Sequence, residues 1–85
     1  MAKSNYQPPK KVHPDHQDVL KNIGDKLKAT RKKKDITIKQ MSEDLKISRN
    51  SIPKMENGEI YYNILTLLRV LEYLNIDPVK VLGKE

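Results

Sequence analysis

The sequence contains no cysteine, which excludes a disulfide framework, a thiolate zinc site and a cysteine nucleophile, and leaves stability to packing. Long apolar runs are missing as well. The densest stretch, Ile64-Leu65 and Leu67-Leu68 within one mixed segment, falls far short of the ~18 residues a membrane span needs, so no membrane partner is expected. No apolar segment follows the charged start Met1 to Lys11, so a secretory signal is not expected and the cytoplasm is the expected location. With three glycines there is no Gly-rich phosphate loop. No paired carboxylates flank a pocket, and Ser48, His16 and Asp18 share no plausible site, so neither a catalytic set nor a cofactor is expected. His13 and His16 are spaced like a helical metal pair, but with only Asp15 and Asp18 nearby they lack a third strong ligand; no metal site is expected.

What is present fits one small module. Of 85 residues 36% are apolar and 33% charged, enough for a compact domain of roughly 60 to 70 residues but not for a large enclosed pocket. The net charge of +6 is unevenly spread: residues 1 to 58 carry 14 Lys or Arg against 7 Asp or Glu, giving +7, whereas residues 59 to 85 carry 3 against 4, giving −1. A basic first part on a small protein is an electrostatic footprint for a polyanion, most often nucleic acid, because neutralised phosphates release counterions.

Residues 1 to 14 hold three of the five prolines and no apolar period, and read as a flexible basic arm outside the core; residues 15 to 85 read as the domain. Within the arm Lys3, Lys10 and Lys11 could track a groove, although a solvated tail is the plainer reading. A helix is expected from Asp15, with Val19 or Leu20, Ile23, Leu27 and Thr30 at spacings of three and four, ending at the cations Lys32 to Lys34. Thr37 and Gln40 form a capping box that opens a short helix ending near Leu45, with Ile36 and Met41 as its hydrophobic staple. Ser48 caps the next, which buries Ile52 and Met55 and stops at Asn57-Gly58, where Gly58 supplies a left-handed C-cap. Asn63 caps a strongly amphipathic helix with Ile64, Leu67, Leu68, Leu71 and Leu74 as its core face, and Asp77-Pro78 opens a short last helix. Five helices and no strand are expected.

Two short helices joined by a tight turn, Thr37 to Leu45 and Ser48 to Asn57, match a helix-turn-helix, whose second helix aims its N-terminal side chains at base edges in the major groove. Leu45, Ile47 and Ile52 would pack under the turn and leave Arg49, Asn50, Pro53 and Lys54 outside. The stretches Ile23 to Arg31, Ile36-Thr37, Leu45 to Arg49, Met55-Glu56-Asn57-Gly58, Leu67 to Leu71 and Leu74 to Asp77 together resemble the Cro/repressor-type, or xenobiotic-response-element (XRE), helix-turn-helix family. The resemblance covers about residues 20 to 83, and Met55-Glu56-Asn57-Gly58 is its most specific part.

That resemblance implies an all-α, five-helix lambda-repressor-like domain and a transcriptional regulator, a dimeric repressor bound to double-stranded DNA at a palindromic operator. It implies a structural ion pair between Arg31 and Glu56 and base contacts from Arg49, Asn50 and Lys54; Ser48 and Ser51 can donate to phosphate, and where the chain departs from the family pattern Thr37 or Lys39, and Lys46, are the expected phosphate contacts. The chemistry agrees, since Arg and Lys donate to guanine O6 and N7 and Asn pairs with adenine N6 and N7. Three positions depart from the family pattern. Ile38 stands where a phosphate-binding Gln is usual. Lys46 stands where Gly is usual, so it either adopts a left-handed conformation at a cost near 1 kcal/mol or the turn is remodelled. Pro53 lies beyond the first turn of a helix capped by Ser48, so that helix is either kinked or starts effectively near Asn50.

Ile60 and Tyr61 are unusually apolar for a connecting loop and are assigned to an interface, Tyr61 with the alternative of a phosphate contact. Ile60, Tyr73, Val79, Val81 and Leu82 are the expected homodimer interface, because they offer more apolar surface than a short terminal helix buries. The competing reading is an antitoxin-like or adaptor module that engages a protein partner, with DNA binding secondary.

Overall fold

The computed structural model describes residues 11–82, and within them the chain is all-α: α1 Pro14–Lys33, α2 Ile38–Leu45, α3 Ser51–Glu56, α4 Ile64–Leu74 and α5 Pro78–Leu82, with no strand. The five-helix expectation holds. The core is a single cluster drawn from four helices: Ile23 and Leu27 of α1, Met41 and Leu45 of α2, Ile52 and Met55 of α3, and Leu67, Val70, Leu71 and Leu74 of α4. Each set repeats at three- and four-residue spacing, so each helix turns one stripe inward.

The helix starts are set locally by side chains. Thr37 accepts from the Gln40 amide at 3.0 Å, Asn63 from the Thr66 amide at 2.8 Å, and Asp77 from the Val79 amide at 2.9 Å. Each bond satisfies one of the amides that a helix N-terminus leaves without an intrahelical acceptor. The helix ends share a second device. Asp35, Lys46, Gly58 and Asn75 all have φ between 57° and 70°. The next residue's amide returns to a carbonyl five residues back: Ile36 to Arg31, Ile47 to Ser42, Glu59 to Lys54 and Ile76 to Leu71. This is the Schellman closure, completed at three of the ends by an isoleucine, Ile36, Ile47 or Ile76, packed against the core. Of the two options for Lys46, the structure takes the left-handed one, with φ 58° and ψ 43°.

Two expectations need correction. Residues 1 to 14 are expected to lie outside the core, yet Val12 is buried and His13 caps α1 through its Nδ1 on the Asp15 amide; Pro14, which the first turn of this helix admits, is its first residue. Proline suits the first helical position because its missing amide hydrogen has no acceptor there. Lys3 and Lys10 lie outside the described residues, as does the end of the chain from residue 83, while Lys11 is exposed. On α4 the buried stripe is Leu67, Val70, Leu71 and Leu74, whereas Ile64 and Leu68, assigned to the core face, are 54% and 38% exposed. With seven aliphatic residues among eleven, the apolar face of this helix is wider than the stripe the core covers, and packing against α1 and α2 selects the buried part.

Candidate nucleic-acid interface

The geometry of the helix-turn-helix begins at the turn. Lys46 reverses the chain after Leu45, the Ile47 amide bonds to the Ser42 carbonyl at 3.2 Å, and the Ser42 hydroxyl donates to the Ile47 carbonyl. Ser48 then organises the entry to α3: its hydroxyl accepts from the Asn50 amide at 3.2 Å and its carbonyl from the amides of Ser51 and Ile52 at 3.0 and 3.3 Å. Ser48 thus orders the entry turn and is not the helix cap expected of it: regular helix starts at Ser51, with Asn50 in the capping position and no side-chain bond to the helix amides there. Pro53 is the cause. In a helix running from Arg49 it could not donate to the Arg49 carbonyl and its ring would strike that carbonyl. As third residue of a helix starting at Ser51 it occupies a site whose amide needs no intrahelical partner. Of the two alternatives for Pro53, a kink or a later start, the later start is observed.

This placement sorts the residues of the unit into two faces. Ile52, Met55 and Glu56 are buried, while Ser48, Arg49, Asn50 and Lys54 are exposed. Arg49 and Asn50 thus sit on the turn leading into α3 and Lys54 on the helix itself. Around them Lys39 in the first turn of α2 and Lys46 in the turn are exposed cations, Thr37 caps α2, and Ser51 is half-buried. These groups form a basic rim of donors suited to an anionic, hydrogen-bonding ligand.

α3 is held from behind by α1. Arg31 Nε donates to Glu56 Oε2 at 2.7 Å, Nη2 to Oε1 at 3.3 Å, and Nη1 to the Ile36 carbonyl at 2.8 Å, with Arg31 and Glu56 only 7% and 2% exposed. One guanidinium thereby ties the last residue of α3 to the loop before α2. At the same crossing, a Cβ on Gly24 would lie 2.2 Å from the Glu56 carbonyl oxygen. Glycine in mid-helix is a known sign of close backbone approach, and here it is the signal that locates the α1–α3 contact.

The remaining assigned residues fall elsewhere. The Tyr61 hydroxyl accepts from the His13 amide at 3.0 Å and lies 2.7 Å from His16 Nδ1, so it fastens the start of α1 to the loop after α3. The Tyr73 hydroxyl donates to Asp44 at 2.6 Å, and this bond holds the phenol's proton so firmly that its pKa is pushed up to about 12. Ile60, Tyr73 and Val81 are partly buried against the core, while Val79 and Leu82 are 69% and 47% exposed. Other apolar exposure that no motif had marked lies on α4. Leu65 and Leu68 line a groove of about 610 Å³ together with Arg69, Glu72, Ile76 and Pro78.

Sequence reasoning also missed the second brace on the helix-turn-helix. Arg69 Nη2 donates to the Leu45 carbonyl at 2.6 Å, 24 residues away in sequence. Among the described residues no cluster of three or more His, Asp or Glu could hold a metal, and no helix is long and apolar enough to cross a membrane. A family model described as a helix-turn-helix domain matches residues 24–85. No curated protein and no solved structure matches the chain.

Proposed function

Because the chain belongs to the helix-turn-helix domain family, within its XRE-like group, we propose that it is a sequence-specific, double-stranded DNA-binding transcriptional regulator, a repressor that occupies a palindromic operator as a homodimer in the cytoplasm. The observation that carries this reading is the division of the second helix and its entry turn. Ile52, Met55 and Glu56 are locked inward, while Arg49, Asn50 and Lys54 stand free outside. Arg49 and Lys54 supply donors for guanine, and Asn50 supplies the donor and acceptor pair for adenine. Thr37, Lys39, Lys46, Ser48 and Ser51 serve as phosphate contacts that fix register. Two-fold pairing would set two such units roughly 34 Å apart, one turn of DNA. The exposed Val79 and Leu82 of α5, and Leu65 and Leu68 of α4, supply apolar surface for that pairing. No catalytic role is proposed.

The same apolar surface favours a second reading, an antitoxin-like or adaptor subunit that binds a protein there and DNA secondarily. Selection from a random duplex pool, with light scattering of the complex, separates them. A palindromic winner bound by two chains at least ~10³-fold more tightly than scrambled duplex supports the operator-binding dimer. Equal and steeply salt-dependent binding to both duplexes leaves only the phosphate footprint and favours the protein-partner reading.

A further inference from the structure

We infer that Arg69, seconded by Tyr73, is a positioning residue that sets the angle of the helix-turn-helix and so determines how well it discriminates between DNA sequences. This rests on the DNA-binding reading above. The two side chains lie four apart on α4 and therefore project from one face of it. Both reach the last turn of α2. Arg69 donates to the Leu45 carbonyl and Tyr73 to the Asp44 carboxylate, each at 2.6 Å. Leu45 is the final residue of α2 and its carbonyl is among those a helix C-terminus leaves without an amide partner. Immediately after it the chain turns through the left-handed Lys46, a conformation that costs a residue with a side chain about 1 kcal/mol or more relative to glycine.

The turn's internal bonds, between Ser42 and Ile47, fix its local shape but do not tie it to the rest of the fold. Arg69 does so at the hinge itself, through a charge-assisted bond of the stronger class. Arg49 and Asn50 follow Leu45 by four and five residues, so rotation of the chain at the hinge is carried directly to both. Base-edge contacts depend on angle, whereas phosphate attraction scarcely does. Loss of the brace is therefore expected to degrade discrimination and spare non-specific binding.

The test uses the full chain and four variants: Arg69→Met, Arg69→Lys, Tyr73→Phe and, as a control, Glu72→Gln, an exposed α4 residue whose side chain forms no hydrogen bond or ion pair among the described residues. Two readouts are taken, the affinity ratio for selected over scrambled duplex across a salt series and the hydrogen exchange of the Ile47 amide in the free protein. For Arg69→Met the ratio falls about tenfold, the size of effect expected for a hydrogen bond to a charged group. Scrambled-duplex affinity and salt slope stay unchanged, and the Ile47 amide exchanges faster. Arg69→Lys and Tyr73→Phe give smaller losses, which also keeps the test open should Arg69→Met fold poorly, and Glu72→Gln gives none. A parallel fall in scrambled affinity, with the salt slope reduced by about one, would make Arg69 a phosphate contact and overturn the inference. So would an unchanged ratio in a discriminating protein. A wild-type chain that shows no discrimination at all defeats the DNA-binding reading itself, and the inference with it.

Discussion

The helix-turn-helix is gripped on two sides by different means. On the α1 side the grip is buried: Gly24 lets two backbones touch, and Arg31 and Glu56 form a pair almost wholly removed from water. On the α4 side apolar packing is joined by two hydrogen bonds nearer the surface, from Arg69 and Tyr73, and these are its polar part. A buried contact of the first kind is close to all-or-none, because breaking it strands a charge or forces atoms to overlap. A surface brace can be weakened in steps. The difference separates what the fold needs from what tunes the interface, and substitutions can probe each side.

The largest effect is expected at the ion pair. Arg31→Met leaves the Glu56 carboxylate buried without its cation and the Ile36 carbonyl without its donor, and should cost about 3–5 kcal/mol in urea unfolding. Adding Glu56→Leu should recover most of that loss; if the double variant is no better than the single, the pair is not the source. Next comes Gly24→Ala. A methyl group 2.2 Å from the Glu56 carbonyl oxygen cannot be absorbed by a flexible side chain, so a loss of about 3 kcal/mol is expected, readable as a fall in melting temperature.

On the α4 side the expected effects are smaller and depend on pH. The Tyr73 phenol has its folded pKa raised from 10.0 to about 12 by the bond to Asp44. A raised folded pKa contributes stability that is complete below the unfolded value and is lost as pH rises through the folded one. The stability difference between wild type and Tyr73→Phe should therefore be constant below pH 10 and shrink between pH 10 and 12. A difference that persists at the upper end would contradict the bond. The smallest effect carries the opposite sign. The Tyr62 hydroxyl is buried with no hydrogen-bond partner among the described residues, so Tyr62→Phe should be neutral or stabilising by about 1 kcal/mol in the same unfolding assay.

Much of this architecture was legible because helix starts are local. Thr37, Asn63 and Asp77 each act on an amide two or three residues ahead, within reach of any reading of the sequence. The positions of the ends at Lys32 to Lys34 and near Leu45 were legible too, but residue type announced the left-handed closure only at Gly58. Asp35 and Asn75 take the same left-handed geometry, but what holds them there is a backbone bond and an isoleucine's packing, neither of which the residue's own type announces. The outward placement of Arg49, Asn50 and Lys54 could be read from the inward Ile52 and Met55. By contrast, the uses of Tyr61 and Tyr73 could not, since their partners lie 48 and 29 residues away and only the folded chain brings them together. The exposed face of α4 was hidden for another reason: a helix whose apolar face is wider than the stripe the core covers does not reveal which part is buried.

The central claim is that the exposed residues of the turn and α3 meet DNA. It is tested most directly by following backbone amide resonances while the selected duplex is titrated into the full chain. The account predicts that the largest shifts fall on residues 37–39 and 46–54, and that Arg49→Ala abolishes those in the second group while leaving the free protein's spectrum otherwise intact. Shifts confined to α4 and α5 around Leu65, Leu68 and Val79, with the turn and α3 unmoved, would contradict it.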